Sequence, residues 1–320
     1  MKQFKKAIMA VGVLAAMGAT ASTANASSLA SSTFEVLGFT LSDVNGQMSQ
    51  NDFSPILVGD NADIGASLTG YTDASDSATA GIGAGIDLAK VCVGPGCGAA
   101  PAENDFSVLT PPAVGSNFSN ADQLLVGSAL DDFGPGGANA SLRADVSLTT
   151  ETAGSSSSNT GVSGGFGFTL LAGTTMTLDF TAKLNLVAST SADALLGSTA
   201  QATSSYVINI SDNSGATVFS WNPNGVLGTG IVGGIENADD CALNESRNRV
   251  APTPFTGTSS YTCNGSFSAT TTLAAGIYNL SIDQQVNSDA TVVPEPASLA
   301  LMGLGLLGLG ASAARRRKQA

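Results

Sequence analysis

The chain contains no histidine. That absence removes a serine–histidine–aspartate triad, a cysteine–histidine dyad, a histidine proton shuttle and histidine-ligated zinc. Charge is scarce as well, at 12% of 320 residues, and bases are scarcest, with 12 Lys and Arg against 25 Asp and Glu. Seven of those bases sit at the two ends: Lys2, Lys5 and Lys6, then Arg315, Arg316, Arg317 and Lys318. Between residues 27 and 293 only Lys90, Arg143, Lys183, Arg247 and Arg249 remain, five bases against 24 acids, a net charge of −19. Such a surface repels phosphate backbones and anionic headgroups, so nucleic acid is excluded as a partner. Aromatics are 6% of the chain and include a single tryptophan, Trp221. Carboxylate-pair hydrolysis and oxygen-ligated calcium are the chemistries this composition leaves open.

The two ends are more legible than the body. Residues 1–26 have the parts of a secretory signal peptide: a basic start through Lys6, an apolar stretch from Ala7 to Met17, and a small-x-small site at Ala24-Asn25-Ala26 before a cut at Ser27. The apolar stretch is too short to remain as a membrane span, which needs about 20 residues. At the other end, Pro294-Glu295-Pro296 precedes an uncharged segment, 297–314, and then the basic cluster Arg315, Arg316, Arg317 and Lys318. As a helix, that segment spans roughly 27 Å, enough to cross a hydrocarbon core. The basic cluster predicts a cytoplasmic end, with everything before the helix facing outward. The two prolines bar a helix from entering this segment out of the body.

Pro-Glu-Pro, a Leu/Gly-rich helix and a closing Arg run resemble the PEP-CTERM sorting domain, also labelled an ice-binding-protein C-terminal domain. The resemblance covers the last 27 residues and implies export by the Sec machinery followed by transient holding in the inner membrane. It further implies processing by exosortase near Pro294-Glu295-Pro296 and release to the cell surface or extracellular matrix, with exopolysaccharide as a candidate partner. The segment Asp239-Asp240-Cys241-Ala242-Leu243-Asn244, with Phe267 and Gly276-Ile277-Tyr278 further on, is similar to the core of many ectodomains that carry this tail. Neither likeness implies an activity.

The body, 27–291, reads as strands. Met176, Leu178, Phe180, Ala182, Leu184 and Leu186 alternate with polar residues, the pattern of a half-buried strand, and Phe166, Phe168 and Leu170 are its predicted partner across a turn at Ala172-Gly173. Tyr206, Ile208 and Ile210, the turn Ser211–Gly215, and Thr217, Phe219 and Trp221 predict a hairpin. A second hairpin is predicted from Phe267–Leu273 and Ile277–Ile282 around Gly276, with further strands over 34–41, 123–130 and 140–150. The fold class expected is all-β, an antiparallel β-sandwich or jelly roll, flanked by the signal peptide and the C-terminal transmembrane helix. The flexible stretch Gly154–Asn159 marks a candidate boundary between two β domains.

The four cysteines allow three pairings. An oxidising, exported setting and proximity favour Cys92 with Cys97 and Cys241 with Cys263. Acid clusters at Asp60/Asp63, Asp73/Asp76, Asp131/Asp132 and Asp239/Asp240 are candidates for structural calcium, although Ala62 and Ile64 occupy ligand places in the first, so no metal site and no cofactor is assigned. Gly81–Gly85 lacks the spacing of a phosphate-cradling loop. Trp221, placed in an alternating hairpin, is expected in the core. With no catalytic residue assigned, the expected role is a non-catalytic, structural or adhesive protein of the cell surface or exopolysaccharide matrix. A secreted carbohydrate-active enzyme or carbohydrate-binding module, and a calcium-dependent surface adhesin, are the alternatives.

Overall fold

Alternation of apolar and polar residues runs through the body and sorts it into two antiparallel sheets. The computed structural model describes residues 26–293, apart from 54–59, 82–83, 114, 131, 133–135, 151, 162–165, 193, 195 and 252–255. The signal peptide before Ala26 and the segment from Pro294 onward, including the expected helix 297–314, lie outside the described residues. Among those residues no helix is long and apolar enough to cross a membrane.

The first sheet holds β1 (Ser28–Asp43), β2 (Gly46–Gln47), β5 (Ile86–Val93), β6 (Phe118–Val126), β7 (Ala138–Leu148), β10 (Thr174–Thr190), β14 (Gly234–Asp239) and β16 (Gly257–Leu273). Its order is β14-β16-β10-β1-β7-β6-β5, with β2 on β1. The second holds β3 (Asp60–Leu68), β4 (Ala74–Ala80), β8 (Thr152–Gly161), β9 (Phe166–Leu170), β11 (Thr199–Asp212), β12 (Thr217–Trp221), β13 (Ile231–Val232), β15 (Glu245–Val250) and β17 (Gly276–Val292). Here the order is β13-β12-β11-β17-β8-β3-β4, with β15 on β11 and β9 on β17. Strand β8, which contains Gly154–Asn159, pairs with β17 on one side and β3 on the other, so this stretch lies inside the second sheet. Its small side chains read as flexible in isolation, but two neighbours satisfy its backbone here.

The inner faces meet in a sandwich-like core. The six apolar residues of β10 from Met176 to Leu186 are all buried. Phe180 is the centre of an aromatic cluster: its ring lies 5.0 Å from Phe267, 5.2 Å from Tyr206 and 5.6 Å from Trp221. Phe34 meets Tyr206 edge-on at 5.7 Å. Phe34, Phe180 and Phe267 belong to one sheet and Tyr206 and Trp221 to the other, so these contacts hold the sheets together. Burying each such ring contributes roughly 2–3 kcal/mol before ring–ring geometry is counted.

Two expected strand partnerships are corrected. The residues of β9 pair with β17, and those of β16 pair with β10 and β14; neither β9–β10 nor β16–β17 is a hairpin. At Leu171–Gly173 and again at Ala274–Ala275 the chain crosses from one sheet to the other. Both connections preserve the inward alternation, because each flanking strand faces the same core from its own side. By contrast, β11 and β12 form the predicted hairpin, with Ile208 opposite Trp221.

Another crossing depends on a glycine. Gly233 joins β13 to β14 at φ 74°, where a Cβ would meet the Val218 carbonyl oxygen at 1.8 Å. Only glycine combines that backbone conformation with so close an approach. Both favoured disulfides are present, Cys92–Cys97 beside β5 and Cys241–Cys263 linking the β14–β15 loop to β16.

Truncating the aromatic centre leaves a cavity that the flanking strands cannot collapse. Phe180→Ala should cost about 3–5 kcal/mol in denaturant unfolding. Replacing Cys241 and Cys263 by Ser together opens a loop of 22 residues in sequence separation and should cost about 3 kcal/mol in the same assay.

Candidate functional site

Strand β17 is central in the second sheet, and its alternate residues divide cleanly. Leu280, Gln284, Val286, Ser288 and Ala290 are buried toward the core. The intervening Asn279, Ser281, Asp283, Gln285, Asn287 and Asp289 point outward, half-buried or exposed. Registers carry this polar face sideways. Thr203 lies opposite Asn287 and Gln201 opposite Asp289 on β11, while Asn287 and Asp289 have Ser157 and Ser155 of β8 in register on their other side. Beyond β8 follow Gly65 and Ser67 of β3, then Ser75 of β4.

These rows enclose an open trough of about 560 Å³. Gln201, Thr203, Asn287, Asp289, Ser67 and Asp73 supply its polar lining. Gly65, which has no side chain, lines it on β3 beside Ser67. Partial burial raises the Asp289 carboxyl above the ordinary carboxylate range, and the same cause raises Asp283 on the strand's outer face. Tyr71, half-exposed in the β3–β4 turn, lies two residues from Asp73.

The other polar clusters are closed. Trp221 is fully buried, as expected, and its indole N–H donates to Glu236 Oε1 at 2.6 Å. The Gly228 N–H donates to Glu236 Oε2 at 2.7 Å, and the N–H groups of Asn224 and Gly225 both donate to Asp239 Oδ2 at 2.9 Å. A register shift between Glu236 and Ala238 turns Glu236 and Asp239 to one face, where the two carboxyl groups contact each other. Burial foremost, and then the neighbouring Glu236 charge, raise Asp239. In the first sheet, Arg143 and Asp145 form a fully buried ion pair, with Ser31 donating to Asp145 and Arg143 donating to the Asp105 carbonyl of the loop that covers them. Burial pushes the Asp145 carboxyl up against the pull of Arg143.

The candidate calcium acids are dispersed. Asp60 and Asp63 lie on opposite faces of the extended β3, Asp73 lines the trough, and Asp240 accepts from the Ser266 N–H at 2.7 Å. Asp132 accepts from the Gln50 N–H, and Asp131 lies outside the described residues. No group of three or more carboxylate or cysteine ligands that could hold a metal occurs among the described residues.

The ends of the body bear on the sorting residues. Ser27, the first residue after the expected cut, directly precedes β1, and its N–H donates to Ser191 Oγ at 2.9 Å. Ala26 packs partly buried beside a core that includes Val292, while Ala24 lies outside the described residues. At the far end β17 closes at Val292, and the Val293 N–H donates to Ser198 Oγ at 3.0 Å. Residues 292–318 match the PEP-CTERM protein-sorting motif.

No curated protein and no solved structure matches the chain. The PEP-CTERM motif overlaps the folded body by a single core residue, Val292, 1% exposed. Its Pro294, Glu295, Pro296, Arg315, Arg316, Arg317 and Lys318 all lie outside the described residues. The motif therefore leaves directly from the end of the strand that carries the trough.

The trough has no clear signal in the sequence: the strand predicted over Ile277–Ile282 stops short of it, and from Asp283 to Asp289 every residue but Val286 is polar, so no alternation marks the outward face. The Glu236–Asp239 contact has none either, since it depends on the bulge.

Burial raises Asp60 and Asp122 to about 6, in Asp122 against a hydrogen bond from the Asn104 N–H. Both folded-state values exceed the unfolded ones, so the stability these groups contribute is complete below the ordinary carboxylate range and is lost as pH rises through about 6. The melting temperature should rise from about pH 7 to about pH 5, and Asp60→Asn should flatten part of that rise.

Proposed function

We infer from the PEP-CTERM motif an exported protein targeted to exosortase. We propose that its folded body serves a non-catalytic, structural or adhesive role at the cell surface or in the exopolysaccharide matrix, and that the trough on the second sheet holds carbohydrate. The observation carrying this reading is the trough itself. Planar amides, hydroxyls and carboxylates line one open trough, the donor and acceptor chemistry that recognises vicinal hydroxyl groups. Glu236 and Asp239 support the non-catalytic side. A glycoside hydrolase holds its carboxyl groups about 5–10 Å apart around the scissile bond, whereas these two touch beneath the 222–230 loop, with both Glu236 oxygens and Asp239 Oδ2 engaged by backbone and indole N–H groups.

Sec export and transient holding in the inner membrane complete the proposal, with exosortase processing near Pro294-Glu295-Pro296. Replacing those three residues by Ala should abolish processing and leave full-length protein in the membrane fraction, as read by fractionation and immunoblot. Unchanged surface release would overturn the exosortase assignment. Asn287→Ala with Gln201→Ala should reduce co-sedimentation with the producer's own polysaccharide about tenfold, a loss of about 1.4 kcal/mol, without changing the melting temperature.

A further inference from the structure

The outer face of the second sheet has one sign of charge. Asp63, Asp283 and Asp289 lie on it, and Asp73 lines the trough beside them. None of the five bases among the described residues reaches this face. Lys90, Arg143 and Lys183 belong to the first sheet. Arg247 and Arg249 lie on β15 but turn toward β16: Arg247 stacks over Tyr261 at 4.7 Å, and Arg249 donates to the Thr258 carbonyl at 2.7 Å. The trough thus presents two carboxylates, Asp73 and Asp289, with no counter-charge of its own.

Resting on the carbohydrate reading above, we propose that the trough selects a cationic polysaccharide, one whose sugar units carry free amino groups, over neutral and uronic-acid polymers. An ammonium group on the ligand pairs with Asp289 or Asp73, while Gln201, Asn287, Thr203 and Ser67 bond the neighbouring hydroxyls. A partly desolvated carboxylate attracts such a cation more strongly than one in open water. The same groups repel a uronate, and an N-acetylated sugar offers them no charge to pair. Asp289 on β17 and Asp73 before β4 stand three interstrand spacings apart, about 14 Å, so the trough takes several units of a chain rather than a single sugar. Tyr71, in the turn beside Asp73, offers an exposed ring at that end.

The test measures binding of the full chain in detergent to four probes by calorimetry: chitosan oligomers, fully acetylated chitin oligomers, polyuronate oligomers and oligolysine. Chitosan oligomers should bind about tenfold or more tightly than the acetylated series and weaken as salt rises, polyuronates should not bind, and oligolysine should bind less well than chitosan. The double variant Asp73→Asn, Asp289→Asn should lose about tenfold toward chitosan. Asp179→Asn, on the outer face of the first sheet, should lose nothing.

Equal or tighter binding of the acetylated series overturns the cationic preference and leaves the carbohydrate reading standing. Chitosan binding that ignores the double variant, or falls equally in Asp179→Asn, is general polyelectrolyte attraction and overturns the site. Oligolysine binding as tightly as chitosan assigns the trough to a basic peptide instead. If none of the saccharides nor the producer's own polysaccharide binds, the carbohydrate reading itself falls.

Discussion

Keeping the ring of Phe180 dry is the constraint on which the rest of the structure depends. Its neighbours Phe267, Tyr206 and Trp221 come from strands far apart in the chain and from both sheets, so the cluster exists only when the two sheets face each other. Neither sheet can bury that surface alone. The chain meets this demand by crossing the core repeatedly, at Leu171–Gly173, at Gly233 and at Ala274–Ala275 among others. Each crossing must be short and must keep the inward alternation intact. Gly233, with the Val218 carbonyl against its α-carbon, shows how tight such a crossing becomes.

Once the apolar residues are inside, the polar ones have two fates. On the first sheet, the outward residues of β6 and β7 are covered by the loop after Cys97. Arg143, Asp145 and Asn120 are therefore buried, and the Asp145 carboxylate accepts from both of the others. A buried pair of this kind costs desolvation, and removing either partner would leave the other charge buried and uncompensated. On the second sheet nothing among the described residues covers the outward face of β17 and β11. Its Asp, Asn, Gln, Thr and Ser side chains remain available to a ligand, and the absence of bases from that face gives it a uniform sign. The scarcity of bases in the body as a whole thus shapes the trough locally.

Legibility in the sequence followed periodicity. The buried face of β10 could be read residue by residue, because six apolar positions at period two admit one interpretation. So could the β11–β12 hairpin, where Asp212 and Gly215 supply turn chemistry between strands that pair directly. The β9–β10 and β16–β17 connections look the same in sequence and behave differently. A hairpin and a crossing between facing sheets both preserve alternation, and only the partner strands distinguish them. Strand β8 was hidden for another reason: Gly154–Asn159 has no apolar residue to mark a face, and its strand conformation comes from backbone bonds to β3 and β17.

Several properties are local and were determined by the sequence alone. The all-β character, the inward residues of the strongest strands and the sorting tail at 292–318 each depend on short, contiguous stretches of residues. Which sheet each strand joins was decided only by tertiary structure, and with it the meeting of Gln201 with Asp289 and of Glu236 with Asp239. Strand register brings the first pair together across two strands. A one-residue bulge turns the second pair to a common face, since inserting one residue inverts every side chain beyond it.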